Sequence, residues 1–202
     1  MVTAYLKLCL ALSVMASLVL AQDLFKMTFT EVKTACPRES SFCASRAAKG
    51  ACYGSTARNT RKFCACSCDY AYLKKIQNCC STVGDKNLKY CLPLCRYNTT
   101  VEELVSTLGF KCITELSTYS YCLNDGSRND NETLSELCCQ AEGVPESCWS
   151  FCRGEVPTCD LSTIWNYQPC LKHLETVQKC AKQAATAEQN FDPSWSPNCE
   201  YK

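Results

Sequence analysis

Twelve of the cysteines in this chain fall into a pattern that occurs twice. The first pass is Cys79-Cys80, Cys91, Cys95, Cys112 and Cys122, and the second is Cys138-Cys139, Cys148, Cys152, Cys170 and Cys180. Matching positions are offset by 59, 57, 57, 58 and 58 residues. One structural unit has therefore been copied, with small insertions and deletions in its loops. A duplicated cysteine frame constrains compartment, stabilisation and fold class together.

The N-terminus reads as a secretory signal occupying residues 1–21. Lys7 supplies positive charge, Leu8 to Leu20 is an almost unbroken apolar run of 13 residues, and Val19-Leu20-Ala21 suits a cleavage site. The run is short for a membrane anchor, which needs about 20 apolar residues. No second apolar stretch follows, and the polar end Trp195 to Lys202 fits neither a stop-transfer helix nor a lipid-anchor tail. Removal of residues 1–21 takes Cys9 with it and leaves 20 cysteines in 181 residues, an even number. That density marks a disulfide scaffold made in an oxidising compartment. The expected localisation is secreted or extracellular.

Other classes fare poorly. One histidine (His173), no Cys-x-x-Cys pair and no fourfold cluster at zinc spacing argue against a structural metal. No cofactor signature is present, so none is expected. The mature charge balance is zero, with 20 Lys plus Arg against 20 Asp plus Glu and no long basic run. Nucleic acid and anionic membranes both favour clustered positive charge. No nucleic acid partner and no membrane span are expected.

The mature chain divides into an N-terminal cysteine-rich segment at 22–68, two cysteine units at 69–124 and 125–182, and a tail at 183–202. The first segment holds Cys36, Cys43, Cys52, Cys64, Cys66 and Cys68. Cys159 and Cys199 have no counterpart in the first unit. Parity pairs them with each other or with the N-terminal group. All 20 are expected in disulfides, in a connectivity that sequence leaves open among on the order of 10⁸ to 10⁹ arrangements.

The local patterns are helical. Thr100 with Glu103 is a capping box, followed by apolar spacing at Val101, Leu104, Val105 and Leu108, with Gly109 able to stop the helix. Cys112, Leu116, Tyr119 and Leu123 form a stripe whose copy is Cys170, Leu174, Val177 and Ala181. The two cysteines of each stripe lie ten residues apart, which as α-helix spans about 15 Å and falls about 80° short of three turns. Each helix is thus expected to be bolted near both ends. Thr133 with Glu136 is another capping box, and Pro145 suits a first helical turn before Cys148 and Cys152. Pro93 makes a continuous helix through Cys91 and Cys95 doubtful. Adjacent cysteines rarely bond each other, so each Cys-Cys pair should tie one element to two neighbours. The expected fold is all-α: a small disulfide-rich helical domain built from two related cysteine units.

The runs Cys91-Leu92-Pro93-Leu94-Cys95-Arg96-Tyr97, Tyr121-Cys122-Leu123-Asn124-Asp125-Gly126 and Cys138-Cys139-Gln140-Ala141-Glu142-Gly143-Val144-Pro145-Glu146-Ser147-Cys148-Trp149-Ser150-Phe151-Cys152 carry a family likeness. Over roughly residues 79–180 the chain resembles the DB module, a cysteine-rich domain of unknown function in secreted and cell-surface nematode proteins. Two features depart from the family pattern: a longer insert at 129–136, and Cys159. The resemblance implies an extracellular role and brings no catalytic residues.

Among single sites, Asn98-Thr99-Thr100 and Asn131-Glu132-Thr133 are N-glycosylation acceptors; Asn78-Cys79-Cys80 is discounted because Cys80 is expected to be bonded. Asp125, Asp130, Asn131 and Glu132 do not match a calcium-loop spacing and read as a solvated loop. His173 lies off the helix stripe and reads as a lone exposed histidine. Trp149 and Phe151 flank cysteines and are expected to pack on the bridges. Trp165 and Tyr167, between cysteines of the second unit, are the residues assigned to a possible binding surface, because aromatics are enriched at interface hot spots. The leading expectation is a non-enzymatic extracellular interaction protein with an unidentified protein partner. A matrix or cuticle component, or a protease inhibitor using the loop Arg153 to Pro157, are the alternatives.

A fold held this way depends on its bridges, each contributing about 2–4 kcal/mol. Thermal unfolding of the oxidised protein should therefore occur far above that of the reduced protein. Coincident unfolding curves with and without a strong reductant would contradict the disulfide account.

Overall fold

The spine of the molecule is a 19-residue helix that spacing alone can explain. In the computed structural model, which describes residues 27–106, 109, 111–124, 134–156 and 166–187, Ala65–Val83 is one continuous α-helix. Its buried positions are Cys68, Ala71, Tyr72, Lys75, Ile76, Cys79 and Cys80, together with Ser67. From Cys68 onward these recur at i, i+3, i+4, i+7, i+8, i+11 and i+12, one face of a 3.6-residue helix. The proposed boundary between residues 68 and 69 falls inside this helix.

All regular elements among the described residues are helical. We number the α-helices α1 (Phe29–Ala35), α2 (Ser41–Ala48), α3 (Arg58–Phe63), α4 (Ala65–Val83), α5 (Val101–Val105), α6 (Leu116–Leu123), α7 (Leu134–Ala141), α8 (Trp149–Arg153) and α9 (Leu174–Ala187). Between them lie 3₁₀ segments at Ser55–Ala57, Lys86–Leu94, Ile113–Glu115, Glu146–Cys148 and Gln168–His173. None of these helices is long and apolar enough to cross a membrane. The protein is a small, disulfide-rich all-α fold.

Short helices leave many terminal amides without partners, and side chains supply them. Thr28 and Glu31 form a reciprocal capping box on α1, and Ser40 caps α2. The Glu39 carboxylate accepts from the backbone amides of Cys66 (2.8 Å) and Ser67 (2.9 Å) in the first turn of α4. A negative charge there also complements the positive end of the helix dipole.

Two cores sit along α4. Cys68, Ala71 and Tyr72 pack with Val32, Cys43, Ala44, Ala47, Cys52 and Cys64 in one. Ile76, Cys79 and Cys80 enter the other, which runs on through Tyr119, Cys122 and Leu123 of α6 to Cys139, Phe151, Val177 and Ala181. The two stripes read from sequence are both buried, Leu116 partly so, with Tyr119, Leu123, Val177 and Ala181 in this second core and Cys112 in a smaller cluster with Cys91 and Leu94.

Among the described residues, nine disulfides fix this arrangement. In the first unit Cys79 bonds Cys122, Cys80 bonds Cys95 and Cys91 bonds Cys112. In the second unit Cys138 bonds Cys180, Cys139 bonds Cys152 and Cys148 bonds Cys170. The connectivity is identical in both, and each adjacent pair does reach two different elements. The N-terminal six pair differently: Cys36–Cys66, Cys43–Cys64 and Cys52–Cys68. This group is complete in itself, so a bond from it to Cys159 or Cys199 is ruled out. Those two cysteines, like Thr133, Asp125, Asp130, Asn131, Glu132, Trp165 and Trp195, lie outside the described residues.

Several local expectations need correction. The helix capped by Thr100 ends at Val105, with Ser106 as its C-cap, and Val101 and Val105 are exposed. A single five-residue turn has no room for the apolar face implied by the spacing. Cys112 and Cys170 do not lie within α-helix: Cys112 precedes a 3₁₀ turn and Cys170 lies inside one. The bolted rods are therefore shorter than ten helical residues, because 3₁₀ geometry takes up the first turn. Pro145 is the N-cap residue of the Glu146–Cys148 turn and not part of it. The expectation at Pro93 holds: no α-helix runs through Cys91 and Cys95, and Pro93 lies in a 3₁₀ segment that ends at Leu94.

Tyr72 ties α4 to the N-terminal loop, its hydroxyl donating to the Cys52 carbonyl at 2.8 Å. Burial pushes its phenol from the ordinary value of 10.0 up to about 12. The folded state then holds a proton that the unfolded chain releases first. The associated stability is fully present below pH 10 and is lost as the pH climbs towards about 12. Brief urea titrations across this window should show stability falling, and Tyr72→Phe should flatten the fall.

Candidate functional site

Two features of the surface have the form of sites. The first is an apolar cavity of about 340 Å³ in the first cysteine unit. The 3₁₀ segment Lys86–Leu94 supplies Leu88, Leu92 and Leu94, and the Cys80–Cys95 and Cys91–Cys112 bridges lie in the wall. Leu104 and Val105 of α5 and Leu116 and Tyr119 of α6 add to it, and Phe151, Tyr167 and Leu171 come from the second unit.

Tyr167, one of the two aromatics assigned to a binding surface, is placed in this wall. It is half-buried, and its ring meets that of Phe151 edge-on with centroids 5.2 Å apart. Its role is therefore to line a cavity and not to project from the surface. Phe151 lies in the core cluster with Cys139, Cys148 and Cys152, and Trp149 packs against that cluster, its indole N–H donating to the Val144 carbonyl at 2.8 Å.

The helix over the cavity is tethered by charge. Glu103 completes the α5 capping box with Thr100 and pairs with Arg96. The Arg96 bond, then the Thr100 backbone amide, hold the Glu103 carboxyl below its ordinary range. Below it, Tyr119 donates to the Arg96 carbonyl at 3.3 Å, and burial raises its phenol well above the usual tyrosine range. Of the residues lining the cavity, Asp85, Lys86 and Lys89 are exposed and Glu115 is half-buried, which puts these charges at its solvent-facing side. The two carboxylates face backbone: Asp85 accepts from the Asn87 amide at 2.8 Å, and Glu115 from the Asp85 amide at 3.2 Å.

The second feature lies on the N-terminal segment. Phe42 and Phe63 are 65% and 73% exposed, and they immediately precede Cys43 and Cys64, which are bonded with Cα atoms 5.1 Å apart. The Arg46 guanidinium lies over the Phe42 ring at 5.6 Å, and the Lys62 ammonium over Phe63 at 5.8 Å. Sequence reading passed over these two rings, since neither sits on an amphipathic stripe. The signal available was a phenylalanine directly before a cysteine, twice within residues 42–64, in a polar setting.

The remaining candidates divide. Asn98 is exposed and lines a wider groove that also takes in Tyr72, Gln178 and Lys182. The neighbouring Thr99 is buried, its carbonyl accepting from Gln178 at 2.7 Å. His173 is half-buried and not exposed. In the loop considered for protease inhibition, Arg153 bonds Glu136 and Glu155, both at 2.9 Å, and Val156 is 2% exposed.

If Tyr167 is a wall residue, its ring matters and its hydroxyl does not. Tyr167→Ala should cost roughly 2–3 kcal/mol in urea unfolding, towards the low end for removal of a large side chain. Tyr167→Phe should leave stability within about 0.5 kcal/mol of the parent.

Comparison with curated proteins and with solved structures finds no match for this chain. The family model of the DB module matches residues 79–181. That span begins at the first adjacent cysteine pair and ends just after Cys180, so it encloses both copies of the three-bridge frame. The chain belongs to the DB module family.

Proposed function

We propose that this protein is secreted and acts as a disulfide-locked binding module for another extracellular protein, one that presents an acidic and partly apolar surface. The observation that carries this reading is the pair Phe42 and Phe63, held out into solvent on either side of one disulfide with a cation over each ring. Large exposed aromatics beside arginine have the composition of interface hot spots. Their backbone is already fixed by the Cys43–Cys64 bridge, so little ordering remains to oppose association.

Charge points to the chemistry of the partner. Residues 27–68 carry Lys33, Arg38, Arg46, Lys49, Arg58, Arg61 and Lys62 against only Glu31 and Glu39. Both carboxylates are spent on helix caps, Glu31 on α1 and Glu39 on α4. Arg61 turns inward to the Cys52 and Gly54 carbonyls, while Arg46, Arg58 and Lys62 remain exposed. The balanced total charge thus hides a basic end. A sugar at the exposed Asn98 belongs to the same extracellular reading.

The reading is non-enzymatic. All eighteen described cysteines are bonded and none offers a thiolate, the nucleophilic form. The engagement of Arg153 and the burial of Val156 weigh against a protruding inhibitory loop there.

The test displays the oxidised, glycosylated chain from Gln22 onward as a multimer against a panel of extracellular proteins. One saturable partner is expected, with affinity falling as salt rises and lost in the Phe42→Ser/Phe63→Ser variant. Both changes are at exposed positions, so folding should be unaffected. Binding that survives the double substitution places the interface elsewhere, and no partner across a broad panel removes the protein-binding reading.

A further inference from the structure

The duplicated frame contains an internal control for the cavity. In the second unit Cys148 and Cys170 are part of the main core. Their counterparts Cys91 and Cys112 are not: with Leu94 they form a separate small cluster. The cavity lies between, with Cys80, Cys95 and Tyr119 of the main core on one side and that cluster on the other. Among the described residues, the same bridge thus sits in the main core in one copy and borders an open space in the other.

Protein interiors seldom keep voids larger than a water molecule, because the walls lose their packing partners. A volume of about 340 Å³ is within the range of small-molecule sites. It is roughly twice an engineered cavity of ~150 Å³ that takes up benzene, which suits a ligand of about a dozen heavy atoms. The walls are leucine, aromatic and disulfide groups, so the body of that ligand is apolar.

Its head is indicated at the mouth. Asp85 and Glu115 are turned to backbone amides. Lys86 and Lys89 are exposed there and have no ion-pair or hydrogen-bond partner among the described residues. Two uncommitted ammonium groups at the rim of an apolar chamber complement an anion on an apolar tail. We propose that this cavity binds a free single-chain carboxylate of about a dozen carbons, tail inward and head between Lys86 and Lys89.

This site is separate from the aromatic face on the N-terminal segment, and each can fail without the other. The experiment is calorimetric titration of the oxidised full chain with dodecanoate below its micelle concentration, beside dodecanol and dodecylammonium as matched probes. One saturable dodecanoate site is expected, with the ammonium probe binding at least about tenfold more weakly. Lys86→Glu/Lys89→Glu, at exposed positions, should weaken dodecanoate by about tenfold or more and spare dodecanol. Leu104→Trp fills the cavity from α5, a helix with no buried residue, and should abolish binding of both. Circular dichroism and a free-thiol count check that the variants fold. No dodecanoate binding, equal binding of the ammonium probe, or binding that persists in folded Leu104→Trp would each overturn the assignment.

Discussion

Two cysteines side by side on a helix point about 100° apart, and that angle organises the molecule. Cys79 and Cys80 lie near the end of α4, one bonded to the end of α6 and the other to the end of the 3₁₀ segment Lys86–Leu94. Three elements are thereby fixed around one turn of helix, without the long apolar faces that would otherwise hold them. Helices of five to eight residues are unstable in isolation. Here α5, α6, α7 and α8 persist because a bridge or a cap ends nearly every one. Cys138 and Cys139 do the same on α7, and the two units meet where α6, α8 and α9 pack together.

Strength obtained covalently relaxes the demand for dense packing. The space beside Cys91 and Cys112 forgoes packing contacts, and each lost contact comes from the small margin that keeps a domain folded. With the Cys80–Cys95 and Cys91–Cys112 bonds in its wall, the chamber is held from both sides. The same economy applies on the N-terminal segment, where Phe42 and Phe63 stay outside because the Cys43–Cys64 bond has already joined α2 to the end of α3.

Much of the fold was legible in the sequence where one residue type recurs at a fixed interval. The duplicated frame, the helical class, the stripes through Leu116, Tyr119 and Leu123 and through Leu174, Val177 and Ala181, and the Thr100–Glu103 cap all rest on spacing. The α4 spine was missed although its spacing is complete, because Lys75 occupies a buried position in the stripe. Its ammonium lies over the Tyr53 ring at 5.1 Å, a partner twenty-two residues away that no local pattern announces. Connectivity was closed to sequence reading for the same reason: Cys36 to Cys66 and Cys43 to Cys64 depend on how α1 and α2 fold back on α4. Of the site, Tyr167 was legible as an unusual aromatic but not as a wall, since its neighbours Leu88, Leu104 and Phe151 come from three distant segments. The basic end was hidden by an even total charge.

The continuity of α4 has a mechanical meaning. Cys68 and Cys80 are twelve residues apart on it, about 18 Å of uninterrupted helix. At one end the bridges Cys43–Cys64 and Cys52–Cys68 connect the exposed rings to the rod; at the other, Cys80 is part of the chamber wall. The aromatic face and the chamber are thus joined by disulfides and one unbroken helix, with no loop between Cys68 and Cys80, so the spacing between the two proposed sites is set by covalent bonds and helix geometry.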